Sequence, residues 1–189
     1  MLIGKHVRLR ILDSTDLSYM RRLRNSPDVT QWFQYRLFIN DAQQAVFFES
    51  LSASKDQIFF VAETLVDLKP FGIYFVRNLD YLNQRCENGV FLDSERAATG
   101  IEAFEAAFLL LEYEFSCLNF HKICAEVLAD NRRAIRFNES LGMIREGIRS
   151  QHVFCGGMFR DLLLYRIFRD DFLKRPTAVI SSFLCPGNM

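Results

Sequence analysis

The sequence predicts a single α+β domain built on a mostly antiparallel sheet. Strand-like stretches outnumber helix-like ones, and most of them follow one another directly, as in hairpins. One long apolar helix, at about residues 99–115, separates two strands, which predicts one parallel step in an otherwise antiparallel order. The 19 phenylalanines among 189 residues favour an aromatic-rich interior or pocket.

The first third of the chain reads as one strand followed by two helices. Residues 7–11 alternate between apolar and basic side chains, which predicts a strand with one buried face. Ser14 is a candidate N-cap for a helix that the sequence stops at residues 25–27. Asn40 and Gln43 have the spacing of a capping box, so a second helix is expected to begin there.

The rest of the chain adds strands, the long helix and one short helix. Apolar runs bounded by turn residues predict strands at residues 58–64, 70–76, 86–92 and 122–129. A short helix is expected to begin at Asp130 or Asn131 and to end at Gly142. Gly156 and Gly157 predict the turn of a final hairpin. Periodicity is lost after Pro176, so the predicted domain is 1–175 and the predicted tail is 176–189.

Charge and cysteine content narrow the classes of function. Lys plus Arg equals Asp plus Glu at 23 each, which gives no support for a nucleic-acid partner. No apolar run reaches the ~18 residues of a membrane span, and charges interrupt the first ten residues, so we expect a cytoplasmic protein without a membrane partner. Five scattered cysteines predict free thiols in a reducing compartment, and metal-ligand spacing is absent.

The stretch "DSERAATGIEAFE", residues 93–105, places small residues where a strand leads into the long helix. The first N–H groups of a helix have no partner within it, and the helix dipole adds partial positive charge there. A phosphate or pyrophosphate can bind at such a position, although small residues at a helix start also serve packing alone. The candidate residues are Arg96, Ala97, Ala98, Thr99, Gly100 and Ile101.

Several stretches resemble the GNAT acetyltransferase superfamily, above all "LADNRRAIRFNESLGM" and "GGMFRDLLLY". The frame "CENGVFLDSERAATGIEAFEAAF" looks like its strand, pyrophosphate loop and helix, and the resemblance covers about residues 1–172. It implies a mixed sheet with helices on both faces and a splayed parallel strand pair, and acetyl-CoA as co-substrate without a metal. The layout resembles the branch of ribosomal-protein alanine and nucleotide-amino-sugar acetyltransferases. The loop departs from the family pattern at Glu95, where Arg or Gln is usual, and at Ala98, where Gly is usual.

The resemblance also implies roles for residues around the splayed strands. Acetyl-CoA is expected between "ENGVFL" and "KICAEVL", with a backbone N–H near Val90 or Phe91 stabilising the oxyanion. Glu87 matches the strand glutamate that serves as base in several relatives, or is a solvated edge charge. Asn138 stands where many relatives have a tyrosine acid, so Tyr165 or Tyr74 is an alternative acid. The implied coenzyme contacts outside the loop are Phe91, Leu92, Asn131 and Ala134, and Asn131 can also be a plain helix cap.

The acceptor site is expected in the first third of the chain. "RNSPDV…WF" followed by "FFESL" looks closest to acetyltransferases of UDP-linked amino sugars, whose pyrophosphate could contact Arg24, Arg36 or Arg77. The candidate substrate-binding residues are Arg24, Trp32, Phe33 and Tyr74, although any of these aromatic rings can instead be core. The expected partner is a small-molecule amine, and a homodimer is left open. The alternatives are a protein N-terminal acetyltransferase and a non-catalytic acyl-CoA-binding module.

Overall fold

The fold is an eight-stranded sheet with helices on both faces, seen in a computed structural model that describes residues 1–34, 36–96 and 100–174. The strand order is β1-β2-β3-β4-β5-β6-β8-β7, and each neighbouring pair is antiparallel except β5 and β6. The predicted fold class is thus confirmed. The strands are Leu2–Ile3 (β1), Val7–Ile11 (β2), Gln57–Thr64 (β3), Pro70–Asp80 (β4), Arg85–Leu92 (β5), Lys122–Leu128 (β6), Ile144–Cys155 (β7) and Met158–Phe168 (β8).

The helices divide into two layers because the central strands bury both of their faces. On β4, Tyr74 and Val76 pack into one apolar cluster with the long helix, whereas Ile73 packs into a second cluster with the first helices. Period-two alternation of side chains produces this division. The helices are Leu17–Asn25 (α1), Pro27–Thr30 (α2), Asp41–Ala53 (α3), Gly100–Glu112 (α4), Arg132–Ser140 (α5) and Arg169–Leu173 (α6).

The local signals of the sequence mostly mark the observed ends of elements. Asn40 and Gln43 form the predicted capping box at the start of α3. The cap at the first helix is Asp13, which forms a capping box with Asp16, so the prediction of Ser14 is wrong. A 3-10 turn at Ser14–Asp16 precedes α1, and the carboxylate of Asp13, directly before this turn, accepts a hydrogen bond from the N–H of Thr15. Helix α6 was not predicted, and the predicted tail at 176–189 lies outside the described residues.

Two further expectations concern cysteines and membrane spans. Cys86, Cys124 and Cys155 have free thiols, as expected. Cys117 takes part in a disulfide, so the expectation of free thiols is wrong at that position. Among the described residues, no helix combines the length and the apolar character that crossing a membrane requires.

Two glutamates are buried where α4 loosens into a π-helical turn at Tyr113–Cys117. Glu114 accepts a hydrogen bond from Asn88 Nδ2 at 3.0 Å, and burial holds the pKa of Glu114 well above its usual range. Glu112 is 7% exposed, and burial raises its pKa to about 7. Both carboxyl groups hold a proton more tightly in the folded chain than in the unfolded one. Rising pH therefore favours unfolding through these two groups.

We predict that Glu112→Gln weakens the pH dependence of stability. Between the unfolded pKa of about 4.3 and the folded pKa of about 7, the unfolded chain loses its proton first, so wild-type stability falls as pH rises. The variant cannot ionise there, and its melting temperature relative to wild type should rise by several degrees from about pH 5 to about pH 8. Glu49→Gln, on exposed α3, is the control. A difference that stays constant with pH would contradict the assignment.

Candidate active site

Strands β5 and β6 run paired for only three residues. They pair from Arg85 with Lys122 to Glu87 with Cys124. Beyond this point β5 stays paired with β4 as far as Leu92, and β6 stays paired with β8. The two parallel strands therefore part, and a gap opens between them within the sheet.

The pairing with β4 decides which backbone groups of β5 face this gap. Asp93 N–H donates to the carbonyl oxygen of Phe71 at 2.9 Å. Because antiparallel pairs alternate between bonded and non-bonded ones, Phe91 belongs to the next bonded pair and its backbone faces β4. The backbone groups of Val90 and Leu92 face the gap instead. These groups are left for a ligand to pair with, since a buried amide needs a partner.

Helix α5 flanks the gap where β6 ends. Asn131 Oδ1 accepts a hydrogen bond from Ala134 N–H at 3.1 Å, so Asn131 caps the helix as predicted. Asn131, Ala134 and Asn138 are three or four residues apart and share one face of the helix. All three are half-buried. This face of α5 is therefore turned towards the body of the protein rather than towards solvent.

The first residues of α4 offer open space for a ligand. A Cβ added at Gly100 would meet no atom within 4 Å, and Ile101 is 68% exposed. Four N–H groups at this helix start lack partners within the helix. The other predicted residues of the pyrophosphate loop, Ala97, Ala98 and Thr99, lie outside the described residues, and their role stays a prediction.

The turn that leads into α4 is surrounded by ion pairs. Arg22 on α1 pairs with Asp93 at 2.6 Å and with Glu95 at 3.0 Å. Arg96 Nη1 lies 3.7 Å from Asp67 Oδ2. A surface pocket of about 370 Å³ lies beside this turn on the α1 side. Its lining residues are Tyr19, Arg22, Lys69, Pro70, Asp93, Glu95 and Arg96.

Phenylalanines form a continuous row on the sheet face beneath α1–α3. Phe59 stacks on Phe75 with ring centroids 5.3 Å apart, and Phe75 lies 6.2 Å from Phe91. Phe33, from the segment after α2, meets Phe91 edge-on at 5.5 Å. Gly89 makes room for this row, because a Cβ there would lie 2.3 Å from Phe75 Cζ. One end of the aromatic row therefore reaches the edge of the gap.

The segment after α2 bridges the gap on this same face. Phe33 packs on Phe91 of β5, and the next residue, Gln34, donates from Nε2 to Glu126 Oε2 of β6 at 2.6 Å. Glu126 also accepts from Arg149 Nη1 at 2.6 Å. Phe33 thus contacts β5, and the next side chain, Gln34, contacts the half-buried carboxylate of Glu126 on β6.

Glu87 lies on this face where the paired part of β5 ends. Its Oε1 accepts from Arg77 Nε at 2.9 Å, and its Oε2 accepts from Asn78 Nδ2 at 3.1 Å. The gap opens directly after the pair of Glu87 with Cys124. The predicted base is therefore placed at the mouth of the gap, and it is held there by an arginine.

The comparison with protein families decides the class of this protein. The family model described as "Acetyltransferase (GNAT) domain" matches residues 6–144, which is 139 of the 189 residues. The chain belongs to the GNAT acetyltransferase family. It is accordingly an acetyl-CoA-dependent N-acetyltransferase, and the predicted enzyme class is confirmed.

Similar GNAT proteins extend over nearly the whole chain. Spermidine N(1)-acetyltransferase of Escherichia coli (strain K12) is 27% identical over 183 residues and covers 95% of each chain. The enzyme of the same name from Vibrio cholerae is 23% identical over 174 residues, covering 92% of this chain and 99% of the relative. The crystal structure of a V. cholerae spermidine N-acetyltransferase with CoA and spermine has a TM-score of 0.85, at 21% identity, over 90% and 99% of the two chains. These relatives do not specifically support the predicted ribosomal or amino-sugar branch.

The structure corrects two of the predicted GNAT site residues. Tyr74 is 1% exposed, and its hydroxyl donates to the carbonyl oxygen of Ala103 at 2.8 Å beneath α4. It faces away from α1–α3, so its prediction as a substrate-binding residue is wrong. The Phe91 backbone is engaged with β4, so the backbone groups of β5 that face the gap are those of Val90 and Leu92, and the predicted coenzyme contact at Leu92 stays a prediction.

The other predicted residues differ in exposure, from partly exposed Trp32 to Tyr165, which is 2% exposed. Trp32 is 36% exposed, and the Arg24 guanidinium lies over the Phe47 ring at 5.5 Å. Tyr165, the alternative acid, contacts Glu139 Oε1 at 3.2 Å, and burial raises its pKa. Within the described residues, no group of three or more His, Cys, Asp or Glu side chains could hold a metal ion.

The sequence reasoning missed Glu126, Gln34 and the link of Arg22 to Asp93. A signal for Glu126 was present, because it alternates with Ala125 and Val127 and so faces the opposite side of β6 from the long helix. The alternation pattern does not identify the hydrogen-bond partners of Glu126. Gln34 and Glu126 are 92 positions apart, and no local pattern joins them.

We predict that Gly89→Ala disrupts the aromatic row. The new Cβ would force Phe75 out of its stack on Phe59, at a cost of about 1–3 kcal/mol of stability. Thermal melting measures this loss. Gly100→Ala is the matched control, since its Cβ meets no atom within 4 Å and should leave the melting temperature unchanged or slightly higher. Equal melting temperatures for the two variants would show that Phe75 moves at no cost.

Proposed function

We propose that this GNAT enzyme transfers acetyl from acetyl-CoA to the primary amine of a UDP-linked amino sugar. The observation that carries the choice of acceptor is the charge balance of the face beneath α1–α3. Two carboxylates on this face, Glu87 and Glu126, each already pair with an arginine. Arg36, in the segment that covers this face, has only carbonyl oxygens as its partners in the described part of the chain. Arg36 therefore brings to this face a positive charge that pairs with no carboxylate among the residues the structure describes.

The donor fits the gap between β5 and β6. The amides of Val90 and Leu92 are placed to pair with the amides of the pantetheine arm. The start of α4 at Gly100 offers open space for the pyrophosphate, and the first N–H groups of a helix have no partner within it. The α5 face of Asn131, Ala134 and Asn138 closes the opposite side of the same gap.

The acceptor fits the other face of the gap. Phe33 and Trp32 offer flat apolar surface for a sugar or a base, and Arg36 offers charge for a pyrophosphate. Arg77 is less suited to that role than the sequence suggests, because Glu87 already pairs with it. The row of phenylalanines behind Phe33 fixes the floor of the site.

A polyamine is the second candidate, and the spermidine acetyltransferases among the relatives support it. A polyamine has several positive charges and no anionic group, so its site needs carboxylates that are not already paired. Glu87 and Glu126 meet this need only by giving up Arg77 and Arg149. A protein N-terminus, the remaining alternative, would also favour an acidic and open cleft. The charge balance on this face argues against both.

The chemistry requires one proton to leave the ammonium group before attack. Glu87 or Glu126 accepts that proton, and the free amine then attacks the carbonyl carbon of the thioester. The N–H of Val90 faces the gap and can stabilise the oxyanion that forms. When the C–S bond breaks, the second proton of the nitrogen passes to the departing thiolate, whose pKa of about 8.5 makes a strong acid unnecessary. Asn138 can donate a hydrogen bond to this sulfur but cannot protonate it.

The acceptor is tested by thiol release from acetyl-CoA with UDP-linked amino sugars, spermidine and peptide N-termini as separate acceptors. We expect turnover with an amino sugar nucleotide. Trp32→Ala should then weaken acceptor binding by about 1–3 kcal/mol, as expected for the loss of a stacked ring. This loss is measured as a higher KM for the acceptor, and the affinity for acetyl-CoA should not change.

Three outcomes would contradict this assignment. Turnover with spermidine and not with amino sugars would transfer the function to polyamines. Turnover restricted to peptides would transfer it to protein N-termini. A Trp32→Ala variant with a normal acceptor KM and a stability loss of about 3–5 kcal/mol would show that the ring is structural.

The base is tested by comparing Glu87→Gln with Glu126→Gln. If Glu87 takes the proton, its variant should lose turnover by about a hundredfold, and the loss should shrink as pH rises because free amine becomes available. Glu126→Gln should then keep kcat and raise the acceptor KM. CoA binding, measured by calorimetry, is the control for both variants. The reverse pattern would assign the proton transfer to Glu126.

A further inference from the structure

The turn between β5 and α4 is attached to the helices of the opposite layer by a buried charge. Asp93, the first residue after β5, is 3% exposed and accepts from Arg22 Nη2 at 2.6 Å. The same Arg22 reaches Glu95 through Nη1 at 3.0 Å. Asp93 Oδ1 also accepts from Glu95 N–H at 3.2 Å, which closes the turn on itself. One arginine thus holds both carboxylates of the turn.

A second link attaches the same turn to α2. Ser94 Oγ donates to Asp28 Oδ2 at 2.7 Å. Asp28 lies four positions before Trp32, at the base of the segment that covers the acceptor face. The turn is therefore held at Asp93, Ser94 and Glu95 by two helices, and these helices also support the acceptor side.

Asp93 and Glu95 carry negative charges that would repel the anionic ligand expected near this turn. A pyrophosphate at the start of α4 is an anion, and Asp93 and Glu95 add two negative charges within a few residues of it. Arg22 is the cation that pairs with both of them. The neighbouring cation, Arg96, lies 3.7 Å from a different carboxylate, that of Asp67.

We propose that Arg22 is the positioning residue of the pyrophosphate site. By pairing with Asp93 and Glu95, it fixes residues 93–95 and cancels the charges that would repel the phosphates. Helix α1 thereby becomes part of the coenzyme site, although Arg22 itself need not contact the coenzyme. The inference rests on the proposed binding of acetyl-CoA at this turn.

The test compares CoA with pantetheine, which lacks the pyrophosphate and the nucleotide. Arg22→Gln should raise the Kd for CoA about tenfold or more, as expected for exposing an anion to an unpaired carboxylate. The Kd for pantetheine, from ligand-observed NMR, should change less than about twofold in this variant. Arg21→Gln is the matched control, because Arg21 is on the same helix and pairs with Asp41 at 2.5 Å on the surface. Gly100→Asp, which adds charge at the helix start itself, should mimic the loss for CoA.

Arg22→Gln leaves the buried Asp93 without its partner, which can destabilise the protein. A second variant keeps the test decisive in that case. Arg22→Gln/Asp93→Asn removes that buried charge and should restore the melting temperature, while CoA binding stays weak because Glu95 remains unpaired. Equal losses for CoA and pantetheine, or a double variant with wild-type CoA affinity, would overturn the proposal. So would a wild-type protein that does not bind CoA. A wild-type protein that binds CoA but acetylates no amino sugar would refute the acceptor assignment alone.

Discussion

The short pairing of β5 with β6 is the constraint on which the rest of the structure depends. Each strand is fixed on its outer side, β5 by β4 and β6 by β8, so neither can close the gap without breaking an antiparallel ladder. The elements around the gap are arranged accordingly. The starts of α4 and α5 flank it on one face, and Phe33 and Gln34 span it on the other. A donor and an acceptor can thus approach the same opening from opposite faces of one sheet.

Compensated charge is the second organising feature of this region. Glu87, Glu126 and Asp93 are each paired with an arginine from a different element. A carboxylate in a half-buried cleft is costly unless it is paired, which explains why each has a guanidinium partner. A substrate group that approaches any of the three must therefore exchange partners with an arginine.

The sequence predicts local features well because their causes are local. The capping box of Asn40 with Gln43 and the cap at Asn131 depend on residues three positions apart. The alternation of apolar and basic residues in β2 and the single parallel crossover through α4 were also predicted from the sequence. Tyr74 was misplaced because β4 is apolar on both faces, and such a strand carries no signal of which side each residue takes. The pairs of Arg22 with Asp93 and Gln34 with Glu126 join residues 71 and 92 positions apart, so only the folded chain reveals them.

The gap has a consequence for the protein when no ligand fills it. The backbone groups of Val90 and Leu92 form a short strand edge inside the sheet. An exposed edge of this kind is a template for another strand, from a peptide or from a second molecule. An extended ligand with its own amides occupies the edge as an additional strand would. A coenzyme bound in the gap would cover the same backbone groups with which a second strand would pair.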